Sequence, residues 1–196
     1  MNNIILADVD GVLLNWEAAF DNWMAKLGHK RAAGSDGEYS IGSRYGIDRA
    51  TSKNLTRIFN ESATVGFLPP LRDAIHYVKK LHTDHGYVFR CITSLSLDMY
   101  AGNLRRMNLK NLFGETIFEH IECLDTGAHK DTALEKYRGS GCWWIEDKIT
   151  NATTGLNMGL RPILLEHSHN TSYSGPIPRA KNWAEIYTLI TGCTAV

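Results

Sequence analysis

The stretch Ile4-Ile5-Leu6-Ala7-Asp8-Val9-Asp10-Gly11-Val12-Leu13-Leu14 decides the fold. Its apolar run stops at a turn signal and reads as a buried strand. That strand delivers Asp8 and Asp10 to its C-terminal end, where open α/β sheets place their ligands. Carboxylates two residues apart point the same way from a strand and repel unless a cation neutralises them or one keeps its proton. Gly11 permits the sharp backbone exit needed there.

Outward from this strand, apolar residues at Trp16, Ala19, Phe20, Trp23, Met24 and Leu27 recur at helical spacing up to Gly28. Residues 29–48 are polar and glycine-rich and read as an irregular connection carrying Tyr39, Ile41 and Tyr45. Asp48 or Thr51 caps a second helix running to about Asn60. Beyond Pro69-Pro70, Leu71, Ala74, Ile75, Val78 and Leu81 mark a helix that stops near Gly86. A strand over 87–92 ends at Thr93-Ser94. Helices follow at 97–107 and 109–113, then a weak strand near 120–124 and a helix from Lys130 through Tyr137. The strand 142–145 ends at Glu146-Asp147. A helix around 150–158, a strand at 162–165, a polar segment at 166–180 and a closing helix with Trp183, Ile186, Tyr187 and Ile190 complete the chain. Strands alternating with helices imply an α/β fold: a Rossmann-like parallel sheet core, 1–14 and 69–196, with a small helical cap, 15–68, inserted after the first strand.

A chain of 196 residues, 43% hydrophobic and 21% charged, suits a globular protein with an ample core. Lys plus Arg and Asp plus Glu both number 21, which disfavours generic nucleic-acid binding. Cys91, Cys123, Cys142 and Cys193 show no C-x-x-C spacing and read as reduced thiols, as in a cytoplasmic protein. No stretch approaches the ~20 apolar residues of a membrane span, and the start of the chain does not read as a signal peptide.

Three further element ends carry polar residues suited to phosphoryl transfer. Thr93 and Ser94 offer hydroxyls and backbone N–H groups to phosphate oxygens. Lys130 can neutralise a nucleophile and a phosphate together. Glu146-Asp147 supplies acids for a metal, one directly and one in support. A carboxylate attacks a phosphate dianion only if their repulsion is cancelled, which a hard cation such as Mg2+ achieves. A neighbouring carboxyl can then protonate the leaving alkoxide and deprotonate the hydrolytic water.

The ordered set Asp8-Val9-Asp10-Gly11-Val12, Thr93-Ser94, Lys130 and Glu146-Asp147 resembles the four motifs of the haloacid dehalogenase superfamily. That resemblance implies an Mg2+-dependent phosphomonoesterase with an aspartyl-phosphate intermediate. Asp8 would be the nucleophile, Asp10 the acid and base, Thr93 the second-motif hydroxyl and Lys130 the third-motif lysine. Mg2+ would be bound by Asp8, the Asp10 carbonyl and Asp147, with Glu146 supporting.

The chain also resembles the 5'(3')-deoxyribonucleotidases, through Arg44-Tyr45-Gly46, Asn60-Glu61-Ser62, Phe67-Leu68-Pro69-Pro70-Leu71, Cys91-Ile92-Thr93-Ser94, Phe113-Gly114, His169-Asn170 and Asn182-Trp183-Ala184. This implies a small phosphorylated substrate, a nucleoside monophosphate, with Trp16, Tyr39 and Ile41 near the base and Ser94 near the phosphate. The expected assembly, if any, is a homodimer. The sequence departs from that family at Leu95, Glu146, Ser40 and Asn60, where proline, aspartate and two large aromatics are expected. A phosphatase of sugar or metabolite phosphates, a dehalogenase and a non-catalytic binding protein are the competing readings.

Overall fold

A computed structural model describes residues 3–194. Its centre is a six-stranded sheet in the order β3-β2-β1-β4-β5-β6, every neighbouring pair parallel. The strands are β1 (Ile4–Ala7), β2 (Val88–Thr93), β3 (Phe118–Cys123), β4 (Trp143–Glu146), β5 (Arg161–Leu165) and β6 (Arg179–Ala180). From β1 the chain steps outward to β2 and β3, then returns across β1 to β4. The order therefore reverses between β1 and β4, and it is at the carboxyl ends of such a pair that open α/β sheets bind their ligands. Asp8 and Asp10 follow one of these strands, and Glu146 and Asp147 end the other.

Burial on both faces explains the apolar runs. Ile5, Ala7, Phe89, Cys91, Ile145 and Ile163 pack on one face with Trp183, while Leu6, Ile92 and Trp144 pack on the other with Leu134 and Leu160. Helices α4 (Ala74–His85), α5 (Met99–Phe113), α6 (Asp131–Glu135), α7 (Ile149–Asn157) and α8 (Trp183–Thr191) flank the sheet.

Between β1 and α4 the chain forms α1 (Trp16–Lys26), α2 (Ile41–Tyr45), α3 (Arg49–Asn60) and a 3-10 turn (Ala63–Phe67). This segment leaves and rejoins the sheet at one place. Asn15 N donates to Pro69 O (2.9 Å) and Leu71 N to Leu13 O (2.8 Å), with an antiparallel bridge from Leu14 to Pro70. Phe20 lies at its centre, stacked on Trp16 (4.5 Å between centroids) and edge-on to Phe59 (5.2 Å).

Several boundaries differ from the sequence reading. A single helix, α5 (Met99–Phe113), begins after the Asp98 cap and runs unbroken, because Asn108 does not interrupt it; its side-chain amide turns to Leu68 O at 3.0 Å. The 29–48 segment contains α2, capped by Ser40 and ended by Gly46 at φ 63°. Asp48 rather than Thr51 caps α3, accepting from Ala50 N and Thr51 N. The helix after Lys130 stops at Glu135, short of Tyr137, and the polar 166–180 segment contributes β6.

Candidate active site

The parallel register sets β1 beside β4, and Asp8 N donates to Ile145 O at 2.9 Å. The Asp8 and Glu146 side chains thereby become neighbours. Lys130, immediately before α6, reaches between them: its Nζ is 2.7 Å from Asp8 Oδ2 and 2.9 Å from Glu146 Oε2. All three are buried. Burial works against the Lys130 ammonium, but Asp8 and Glu146 outweigh it and raise its pKa. Burial pushes the Asp8 carboxyl well above the usual carboxylate range, against the pull of Lys130, and does the same to Glu146.

Asp147 closes the group. Carboxylate oxygens of Asp8, Glu146 and Asp147 lie within 4.8 Å of one another. Burial, then the charge of Asp8, raises the Asp147 pKa. Its backbone is held from the far side. Asn170 Nδ2 donates to Asp147 O (2.8 Å) and to Leu165 O (2.8 Å), and His169 Nε2 donates to Asp147 O at 3.1 Å. His167 Nε2 donates to Gly11 O at 2.7 Å, so this one segment braces both carboxylate-bearing loops.

Asp10 stands apart from those three acids. Its carboxylate is gripped by Arg105 of α5, Nη1 to Oδ1 at 2.5 Å and Nη2 to Oδ2 at 3.1 Å. The Arg105 side chain is wholly buried and that of Asp10 is 22% exposed. Thr93 ends β2 fully buried, and its hydroxyl has no hydrogen-bond partner among the described residues. A buried hydroxyl without a partner is costly unless something else fills its valence. The Ser94 hydroxyl donates to Ala128 O (2.8 Å), tying the end of β2 to the loop that carries Lys130.

Of the residues expected near a base, Tyr39 lies against His169, which braces Asp147. It is half exposed along its length, with its ring 5.0 Å from His169 and Lys148 Nζ 5.1 Å from its centroid. Desolvation, then the negative charge of Asp147, Glu146, Asp8 and Asp10, raises the pKa of its hydroxyl. Trp16 is partly buried in the aromatic cluster, and its indole N–H donates to Asn60 Oδ1 at 2.9 Å. Ile41 begins α2 and packs against the core. Asn60, which departs from the aromatic expected there, is buried and passes the contact on: its Nδ2 donates to Leu95 O (2.8 Å), just beyond Thr93-Ser94. Ser96 Oγ donates to Glu61 Oε1 (2.8 Å), a second tie between the inserted segment and this loop.

Arg105, Asn60, His167, His169 and Asn170 carry geometry that the sequence reading assigned to none of them. For Arg105 a signal existed. Ala101, Arg105, Asn108 and Leu109 recur at the spacing of a buried helical stripe, and two polar residues on such a stripe demand partners in the interior.

No protein-family model matches the chain. An uncharacterized 32.4 kDa protein of Enterobacteria phage T4, from the Gp30-rIII intergenic region, is 28% identical over 145 residues, 70% of this chain and 51% of that protein. The chain thus spans about half the length of this curated relative. Among solved structures, a haloacid dehalogenase-like hydrolase from Streptococcus pneumoniae superposes with a TM-score of 0.66 at 16% identity, over 97% of this chain and 100% of that one. CbbY from Rhodobacter sphaeroides, in complex with phosphate, gives 0.62 at 19% identity over 95% and 96%. L-2-haloacid dehalogenase from Xanthobacter autotrophicus gives 0.60 at 9% identity over 99% and 100%. The fold is that of the haloacid dehalogenase-like hydrolases.

Proposed function

We propose that this protein is an Mg2+-dependent phosphomonoesterase that works through an aspartyl-phosphate on Asp8. The observation that carries the reading is Lys130 bridging Asp8 and Glu146 beside Asp147 at the reversal point of the sheet. Asp8, Asp10, Glu146 and Asp147 face two cations, Lys130 and Arg105, an imbalance that one dication cancels. Oxygen donors in a buried carboxylate group suit a hard ion. Asp8, the Asp10 carbonyl and Asp147 would hold it, with Glu146 occupied by Lys130 behind them. When bound, the ion offsets the charge of phosphate and nucleophile.

The chain's own residues supply the remaining steps. An Asp8 oxygen forms a bond to phosphorus as the ester P–O bond breaks, and the electron pair leaves on the ester oxygen, which takes a proton from the Asp10 carboxyl. Asp10 then takes a proton from water, whose oxygen bonds to phosphorus as the Asp8 O–P bond breaks, restoring the carboxylate and releasing inorganic phosphate. Lys130 steadies the Asp8 charge, and the unpartnered Thr93 hydroxyl is suited to a phosphate oxygen.

A small nucleoside monophosphate is the substrate we favour. Residues 15–68 serve as the cap, with Tyr39, Trp16 and Ile41 toward the base and Ser94 at the phosphate end. Stacking on an aromatic face contributes about 1–3 kcal/mol per base. One observation favours a metabolite phosphate instead: Phe20 is stacked on Trp16 at 4.5 Å, so that indole is partly committed to packing. A panel of nucleoside monophosphates and sugar phosphates with Mg2+ separates the two. Higher kcat/KM for nucleotides, reduced by Tyr39→Ala, supports the first reading, and equal or better turnover of sugar phosphates removes it.

A further inference from the structure

Arg105 lies outside the motif set, yet it makes two contacts to the side chain on which both half-reactions depend. A wholly buried guanidinium is an expensive way to stabilise a helix, since an apolar side chain of similar size usually serves as well. The Arg105–Asp10 pair is moreover incomplete as a structural network, because Arg105 Nε has no partner among the described residues. What the pair does achieve is geometric. Two parallel N–H groups on two carboxylate oxygens leave Asp10 one orientation. The Asp10 carboxylate stays out of the cluster formed by Asp8, Glu146 and Asp147, and its side chain keeps some exposure while that of Arg105 has none. An unrestrained carboxylate two residues from Asp8 would be free to swing toward any cation bound there.

We propose that Arg105 is a positioning residue that orients Asp10 for the hydrolytic half-reaction. This inference rests on the phosphatase reading and deepens it. In that step the water O–P bond forms, the Asp8 O–P bond breaks with its electron pair returning to Asp8, and the water proton passes to Asp10.

The test is stopped-flow hydrolysis of p-nitrophenyl phosphate by the Mg2+-loaded enzyme. Its leaving phenolate needs little protonation, so formation of the aspartyl-phosphate depends weakly on Asp10 and its breakdown depends strongly. Wild type should release p-nitrophenolate linearly. Arg105→Met should give a burst approaching one product per site, followed by turnover at least about tenfold slower, and Asp10→Asn should do the same. The double variant should be no slower than the slower single one. Slowed turnover without a burst, a burst already as large in wild type, unchanged turnover, or multiplicative loss in the double variant would overturn the assignment. Arg105→Lys repeats the measurement should Arg105→Met be unstable. If neither variant melts cooperatively while Asp10→Asn does, Arg105 is a strut and the proposal fails. Absence of hydrolysis by wild type removes the phosphatase reading itself, and this inference with it.

Discussion

Gly11 faces Asp147 so closely that a Cβ on Gly11 would stand 2.6 Å from Asp147 Oδ2. The turn after β1 and the end of β4 are thus fitted to one another. Gly11 also has φ +78°, a conformation that side chains rarely adopt. Gly11→Ala should therefore cost about 1–3 kcal/mol of stability and displace Asp147. Urea unfolding and Mg2+ titration of the same variant check both effects. Wild-type stability together with wild-type metal affinity would mean that the close approach is immaterial.

Metal affinity should depend on pH in a defined direction. Burial holds the Asp8 and Asp147 carboxyls above their ordinary values, and a ligand must be deprotonated to bind. Mg2+ should therefore raise the melting temperature more at about pH 8 than at about pH 5.5, with proton release on binding. Calorimetry in two buffers of different ionisation enthalpy measures that release. Equal stabilisation at both pH values would contradict the assignment of the site.

His167 gives a linkage of the opposite kind. Burial pushes its imidazole from 6.5 down to about 4, while its Nε2–H stays on Gly11 O. Below the ordinary value the unfolded chain takes up a proton that the folded state refuses, so stability falls as pH drops from 6.5 toward 4. Between about pH 7 and about pH 5 this single group should remove on the order of 2 kcal/mol. The same comparison in His167→Gln should lack that loss. If both proteins show the same pH slope, His167 is not the group responsible.

Asn60 joins the Trp16 indole to the Leu95 carbonyl, and so the inserted helices to the loop after β2. Asn60→Leu leaves the Trp16 indole N–H unpaired and removes one of two hydrogen bonds to Leu95 O, which keeps that from the Thr126 hydroxyl, and should cost about 1–3 kcal/mol. If the inserted segment helps to hold the substrate, KM should also rise more than kcat falls. A variant that is less stable but has wild-type KM would confine Asn60 to packing.

Much of this architecture was legible because it depends on local patterns. A buried strand ending in Asp-x-Asp-Gly, and another ending in Glu146-Asp147, announce both themselves and the carboxylates at their carboxyl ends. The order of the motifs along the chain then suggested that Asp8, Lys130 and Asp147 meet, and the parallel register brings them together. Arg105 and Asn60 were not legible in that way. Each acts through a partner distant in sequence, 95 residues for Arg105 to Asp10 and 35 for Asn60 to Leu95. The short helix α2 escaped notice for another reason: its five residues, Ile41–Tyr45, are too few to show a period.

Attack on phosphorus by the Asp8 side chain itself is tested by Mg2+-supported turnover of p-nitrophenyl phosphate by Asp8→Asn beside wild type, with thermal melting as the check on folding. Both proteins should melt cooperatively, and the variant should lose turnover by at least about a thousandfold. An Asp8→Asn protein that folds and still turns over at a rate near that of wild type would contradict attack by Asp8.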